Sequence, residues 1–470
     1  MKNKTLNILY IVIFISMLLA LFVCMTFSHS DMSVEKREAA ALPKAVSEDG
    51  TLNLSYFDEL DDYMSDNFAF RQELATADAL MKAKVFKTSG NEKAVVGKND
   101  WLYFTGSMND YLGREILNKR QINAAAKVLK IMQTDSENKG RKFIFVCAPN
   151  KNSLYPENMP SRYLKSEDAG NYELLKAAME EEGVNTVDLH EAFKADKRVM
   201  YYKWDSHWDN EGAAFAVDKI LAALDKEHYD YESEPYTIEE SHRGDIMNLI
   251  YPSLDAMDEE VVYEKQHEYK YLNPVESVED ILIFTQAEGK EGSVLMFRDS
   301  FGNATLPYIA DEYGRGIFSK GVPYNFSYAA SGKSDTVIVE IVERNIPWLI
   351  EYVPYMEAPE TEINAEIIKA EDAETSLNTE DKGADNVYYG TLDKFYTDDN
   401  AEVIMKVTLP DGEEKFYEAF PSSYTEVSSP DEAQYSYGIY INKNLTPAGS
   451  RLEVIAVKDG VYYSVAELDL

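Results

Sequence analysis

VLMFRDSFGNA, residues 294–304, decides how the rest of the chain is read. Val294 to Phe297 form a short, wholly apolar run of the kind buried on both faces of a sheet. The run ends in Asp299-Ser300, and a helix start is expected at Phe301, with Gly302 just inside it. A serine at such a strand-to-helix turn lies at the carboxyl edge of a sheet, where α/β proteins place their sites. The helix start offers unpaired N–H groups and a positive dipole end, both suited to an oxyanion. Taken alone, the same serine reads equally well as a helix cap.

Working outward, similar apolar runs recur between helical patterns. KFIFVCAP (142–149), VNTVDL (184–189) and DTVIVEIVE (335–343) read as strands. Helical periodicity covers 121–135, 170–182 and 211–226, and an earlier helical stretch runs from Tyr56 to about Phe86. VVGKNDWLYF (95–104) reads as two strands around a Gly-Lys-Asn-Asp turn. This alternation predicts an α/β fold with a parallel sheet flanked by helices. Cys147 falls inside a strand and is expected as a buried small hydrophobe, leaving no intramolecular disulfide.

A serine needs a base, and the base needs an orienter. YYKWDSHWDN (201–210) supplies both, since Asp205 and His207 are two apart in a stretch expected to be extended. The expected roles are Ser300 as nucleophile, His207 as base and Asp205 as orienter, with Trp204 and Trp208 walling the site. The same Asp-x-His pattern also suits a local hydrogen bond or part of a metal site. His190 and His242 show no recognised carboxylate spacing, so no metal and no cofactor are expected.

The ends of the chain differ from its middle. Lys2 and Lys4 precede an uncharged apolar run from Ile8 to Phe27. It predicts a single-pass membrane anchor, with the remainder on the extracellular side; a cleaved signal peptide is the rival reading. The formal net charge of −37 argues against nucleic acid and anionic lipid surfaces as partners. From about residue 385, alternating runs around Asp-Gly turns predict antiparallel hairpins, and hence a small β-sandwich. The expected divisions are an anchor (1–30), an acidic stalk (31–55), an α/β domain (56–355), an acidic linker (356–384) and a β domain (385–470).

KWDSHW and FRDSFGNA, with DNFAFRQEL, GKNDWLYF and APNKNSLYPENMP, resemble the DHHW family of Gram-positive bacteria. That family is related to the alginate O-acetyltransferase group of SGNH-like proteins. The resemblance spans about residues 56–345 and implies an SGNH-like fold in which Asp-x-His precedes the serine. It further implies transfer of an acetyl group through Ser300 to a hydroxyl of a cell-surface polysaccharide, in concert with a multi-span membrane acyl-donor protein. The alternatives are an acetylesterase with the same triad, and a non-catalytic glycan- or assembly-binding protein.

Two positions depart from the family patterns. Ser206 replaces the first histidine of the DHHW signature and is expected to point away. Arg298 stands where ordinary SGNH hydrolases have glycine, so it either crowds an oxyanion hole or binds an anion. Asn150 is a candidate oxyanion donor, with a turn residue as its plainer role. Lys151, Tyr155 and Asn303 are candidates to line the cleft, and Arg71 is expected to be structural.

Overall fold

The apolar runs become the central strands of a seven-stranded sheet: β1 (Lys142–Ala148), β2 (Thr186–Val187), β3 (Lys270–Tyr271), β4 (Leu282–Gln286), β5 (Ser293–Phe297), β6 (Arg315–Ser319) and β7 (Thr336–Val342). This computed structural model describes all residues except 1, 25–38, 47–49 and 424–429. The strand order is β2-β1-β7-β5-β6-β4-β3. The first five are mutually parallel, and β4 and β3 add an antiparallel edge. The sheet is therefore mixed, and the two added strands come from the 227–290 region, where no period was legible.

Alternation along these strands feeds two apolar layers. Phe143, Phe145, Leu295, Phe297, Val337 and Val339 face one side, against α1 (Lys119–Asn138) and α2 (Asn171–Glu182). Ile144, Val146, Val294, Met296 and Ile338 face the other, against α3 (Asn210–Ala223) and α4 (Gly302–Glu312). Both layers exclude water from β5, all five of whose residues are buried. Truncating Phe297 to alanine is expected to cost about 3–5 kcal/mol. Caps fix where two helices begin: Asn118 and Gln121 form a capping box on α1, and Asp209 accepts from Gly212 N–H at the start of α3.

A two-stranded hairpin, Ala94–Val96 with Leu102–Phe104, precedes the main sheet. Its turn contains Asn99 and Asp100, both at positive φ (55° and 62°), a conformation these two side chains tolerate better than most. Beyond the α/β region, a six-stranded and a four-stranded sheet share one core, with Met405, Val454 and Tyr417 meeting Tyr388, Tyr437 and Ile439. Pairing within them is antiparallel except at the edge strand Ile367–Lys369. Residues 356–384 carry three short strands that extend these sheets at their edges.

The amino-terminal expectation requires correction. Lys2–Cys24 is an α-helix, yet no helix among the described residues is long and apolar enough to cross a membrane. Lys2, Asn3, Lys4, Thr5 and Asn7 occupy its first two turns, and residues 25–27 of the expected apolar run lie outside the described residues. The single-pass anchor, and the membrane localisation inferred from it, are therefore withdrawn. Residues 31–38 and 47–49 of the expected stalk lie outside the described residues.

Candidate active site

Ser300 sits where β5 ends and α4 begins, at the carboxyl edge of the parallel strands. The turn is held by Asp299, which is buried. One carboxylate oxygen accepts from Phe301 N–H at 2.9 Å. The other accepts from Val342 N–H at 2.8 Å and Asn345 Nδ2 at 2.7 Å, tying the turn to the neighbouring strand β7. Gly302 is required by space: a Cβ there would lie 2.5 Å from Arg298 Cβ and 2.8 Å from Glu340 Oε2. Ser300 is therefore no helix cap, since its side chain makes a different bond.

That bond is to His207. His207 Nε2 lies 2.9 Å from Ser300 Oγ, and His207 Nδ1 lies 2.7 Å from Asp205 Oδ1. Asp205 also accepts from the backbone N–H of His207 at 2.9 Å, so the two-residue spacing closes a small ring that fixes both side chains. Burial favours the protonated form of Asp205, but its bonds to His207 and His242 outweigh this and hold its carboxyl well below the usual range. Burial likewise pulls His207 down, and the Asp205 hydrogen bond and charge reverse that to a net rise. Asp205 is thus placed to favour a positive charge on the His207 ring.

Two further groups complete this cluster. His242 Nε2 lies 3.0 Å from the second oxygen of Asp205, and its ring stacks on Tyr202 at 3.7 Å. Asp245 donates its backbone N–H to that same oxygen at 2.8 Å. Ser206 does not point away: its Oγ donates to Asp245 Oδ2 at 2.6 Å and lies 3.2 Å from His207 Nδ1. The chain bends here because Gly244 packs directly on the Trp204 carbonyl, where a Cβ would sit 2.3 Å from the oxygen. A glycine followed by an acid in SHRGD (241–245) was the available clue.

The remaining candidates divide clearly. Lys151 is buried, and its ammonium donates to the carbonyls of Leu102 (2.7 Å), Lys203 (2.8 Å) and Asp205 (2.8 Å), so it pins the Asp205 loop to the hairpin. Tyr155 accepts from Met200 N–H at 3.1 Å through its hydroxyl and packs on Trp101 and Tyr201. Trp208 is wholly buried and donates Nε1–H to the Phe301 carbonyl at 3.1 Å, which makes it a brace beneath the serine turn. Trp204 is partly exposed and donates to the Asp100 carbonyl at 3.0 Å. Arg298 turns away from Ser300 and holds the Val278 and Asp280 carbonyls and Asn303 Oδ1. Asn303 also donates to Glu279 at 2.9 Å.

Asn150 follows β1 at the same sheet edge and is buried. Its backbone N–H donates to Glu343 Oε2 at 2.9 Å, its Oδ1 accepts from Arg344, and its Nδ2 has no partner. A cavity of about 840 Å³ opens on the Asp205–Asp245 side, with Arg71 and Arg243 in its walls; Ser300 and His207 do not line it. Ligand atoms of Asp205, His207 and Asp245 lie within 4.8 Å of one another. A cation among them would have to displace the proton that joins His207 to Asp205.

The α/β region that carries this site is similar to the SGNH hydrolase-like acetyltransferases. Residues 94–278 match the family model described as the SGNH hydrolase-like domain of acetyltransferase AlgX, which includes Asp205 and His207. The resemblance to the alginate O-acetyltransferase group is thereby borne out. No curated protein matches the chain. Among solved structures, Bacillus cereus PatB1 is similar at 15% identity and TM-score 0.44, covering 53% of this chain and 95% of its own. A DHHW family protein from Eubacterium siraeum matches at 13% identity and TM-score 0.41, covering 54% and 94%. Pseudomonas aeruginosa AlgX matches at 13% identity and TM-score 0.35, covering 81% and 96%.

Proposed function

We propose that the chain is an O-acetyltransferase that moves an acetyl group, through Ser300, onto a hydroxyl of a polysaccharide. The observation that carries this reading is the unbroken chain of contacts Ser300 Oγ–His207 Nε2 (2.9 Å) and His207 Nδ1–Asp205 Oδ1 (2.7 Å). His207 takes the serine proton as the Oγ–carbonyl bond forms, then returns it to the departing group. The acceptor hydroxyl repeats the sequence on the acetyl-serine, with His207 again as base. The backbone N–H of Ser300 has no partner among the described residues and serves as one oxyanion donor.

Transfer and hydrolysis share this chemistry and differ only in which nucleophile takes the acetyl group. The test is partitioning: the full chain is given 4-nitrophenyl acetate with and without acceptor oligosaccharides. Acetylated sugar formed at the expense of acetate supports a transferase. Acetate as the sole product at every acceptor concentration identifies an esterase instead.

A further inference from the structure

Arg344 follows the carboxyl end of β7, the strand directly beside the one that delivers Ser300. Its Cζ lies 5.4 Å from the ring centre of Phe301, the residue after the serine, and 5.3 Å from that of Phe104. His207 packs on the same Phe301 ring at 4.8 Å, so Arg344 and the base flank one aromatic side chain. Arg344 makes no ion pair with any described residue, although Glu343 is its neighbour; that carboxylate is taken by His190 and by the Asn150 N–H. Arg344 is partly exposed; Asp299, Asp245 and Glu343 stand near enough to favour its charge, but none of them closes an ion pair with it.

Its one side-chain hydrogen bond among the described residues is informative. Nη1 donates to Asn150 Oδ1 at 3.3 Å, which fixes which end of that amide is the acceptor. The other end, Nδ2, is buried with no partner. Leaving such a donor unpaired is unfavourable unless something accepts from it. Arg344 and Asn150 thus present unspent N–H groups at the edge where Ser300 stands.

We propose that Arg344 is a catalytic residue that binds the acyl carbonyl oxygen and stabilises the oxyanion, while holding the Asn150 amide with its donor end toward the same anion. This rests on Ser300 being the nucleophile. As the Ser300 Oγ–carbon bond forms, the serine proton passes to His207 Nε2 and the carbonyl π pair moves onto oxygen. That oxygen carries the negative charge facing Arg344. When the pair returns, the bond from carbon to the oxygen of the ester donor breaks, and the departing alkoxide takes the proton from His207. A planar guanidinium is suited to this, because its charge needs no proton to be gained or lost during the cycle.

The test uses the full chain with 4-nitrophenyl acetate and the variants Arg344→Ala, Arg344→Lys and Asn150→Ala. Arg344→Ala should lower kcat about 10²- to 10³-fold with little change in KM. Millimolar guanidinium should restore a measurable part of that loss, and Arg344→Lys should fall between. The Arg344→Ala and Asn150→Ala losses should combine less than additively, since one side chain orients the other. A folded Arg344→Ala enzyme with wild-type kcat overturns the inference, as does a loss that guanidinium does not relieve and that adds fully to Asn150→Ala. If Arg344→Ala melts without cooperativity, Arg344→Lys decides: an unchanged kcat overturns the inference, and a reduced one supports it. Turnover that vanishes in Ser300→Ala but ignores Arg344 refutes this inference alone; turnover that survives Ser300→Ala refutes the nucleophile assignment beneath it.

Discussion

Asp205 and His242 are bonded at 3.0 Å, which makes one carboxylate serve two histidines: Oδ1 faces His207 and Oδ2 faces His242. The second histidine, with the Asp245 N–H, holds the carboxylate plane so that Oδ1 stays on the line from Ser300 through the His207 ring. His242→Gln keeps a donor and is expected to retain most of kcat. His242→Ala leaves Oδ2 short of a partner and is expected to lose about tenfold, read by steady-state turnover of 4-nitrophenyl acetate.

Asp205→Asn removes the charge but preserves the shape of the side chain. The amide can place its N–H against His207 Nδ1 and so favour the tautomer whose Nε2 already carries a proton, which disables the base. The expected loss is on the order of 10³- to 10⁴-fold in kcat. Circular dichroism should stay at wild type, since the loop is still pinned by Lys151.

The pH profile follows from the direction of the His207 shift. Because Asp205 raises His207, kcat/KM is expected to fall on the acid side through a pKa above the ordinary value of about 6.5. Removing the Asp205 charge reverses the cause, so the residual activity of Asp205→Asn should show that limb at lower pH. For stability, the raised His207 and His242 contribute most below about pH 6.5, and this is lost as pH rises through their folded values. The depressed Asp205 contributes above about pH 3.9, and this is lost as pH falls through its folded value. The difference in Tm between wild type and Asp205→Asn should therefore be greatest between about pH 4 and 6.5.

Lys151 tests the scaffold. Burial lowers its pKa to about 7, while three carbonyls each take one N–H of the ammonium form. Lys151→Met removes three bonds at once and strands buried acceptors, with an expected loss of about 3 kcal/mol in stability, read by thermal or denaturant unfolding. Activity should fall with it, because one of those carbonyls belongs to Asp205.

The parallel core was legible because its strands are apolar on both faces; β1, β5 and β7 read as continuous hydrophobic runs. Ser300, His207 and Asp205 were legible because two are near neighbours and the third ends an obvious strand. His242 and Asp245 were not, since they reach Asp205 from about 40 residues further along the chain, a separation that no local spacing reveals. Trp208 was read as a site wall from adjacency but packs beneath Phe301, and Arg298, expected to crowd an oxyanion hole or bind an anion, instead holds the Val278 and Asp280 carbonyls. The amino-terminal run misled because it was read as one apolar span from Ile8 to Phe27, whereas no helix among the described residues is long and apolar enough to cross a membrane.

The central claim is that Ser300 carries the acyl group, and the most direct measurement is intact-protein mass spectrometry after brief exposure to 4-nitrophenyl acetate. The account predicts one acetyl adduct, mapped to the peptide containing Ser300 and absent from Ser300→Ala, together with loss of turnover in that variant. An acetyl adduct and turnover that persist in a folded Ser300→Ala protein contradict it.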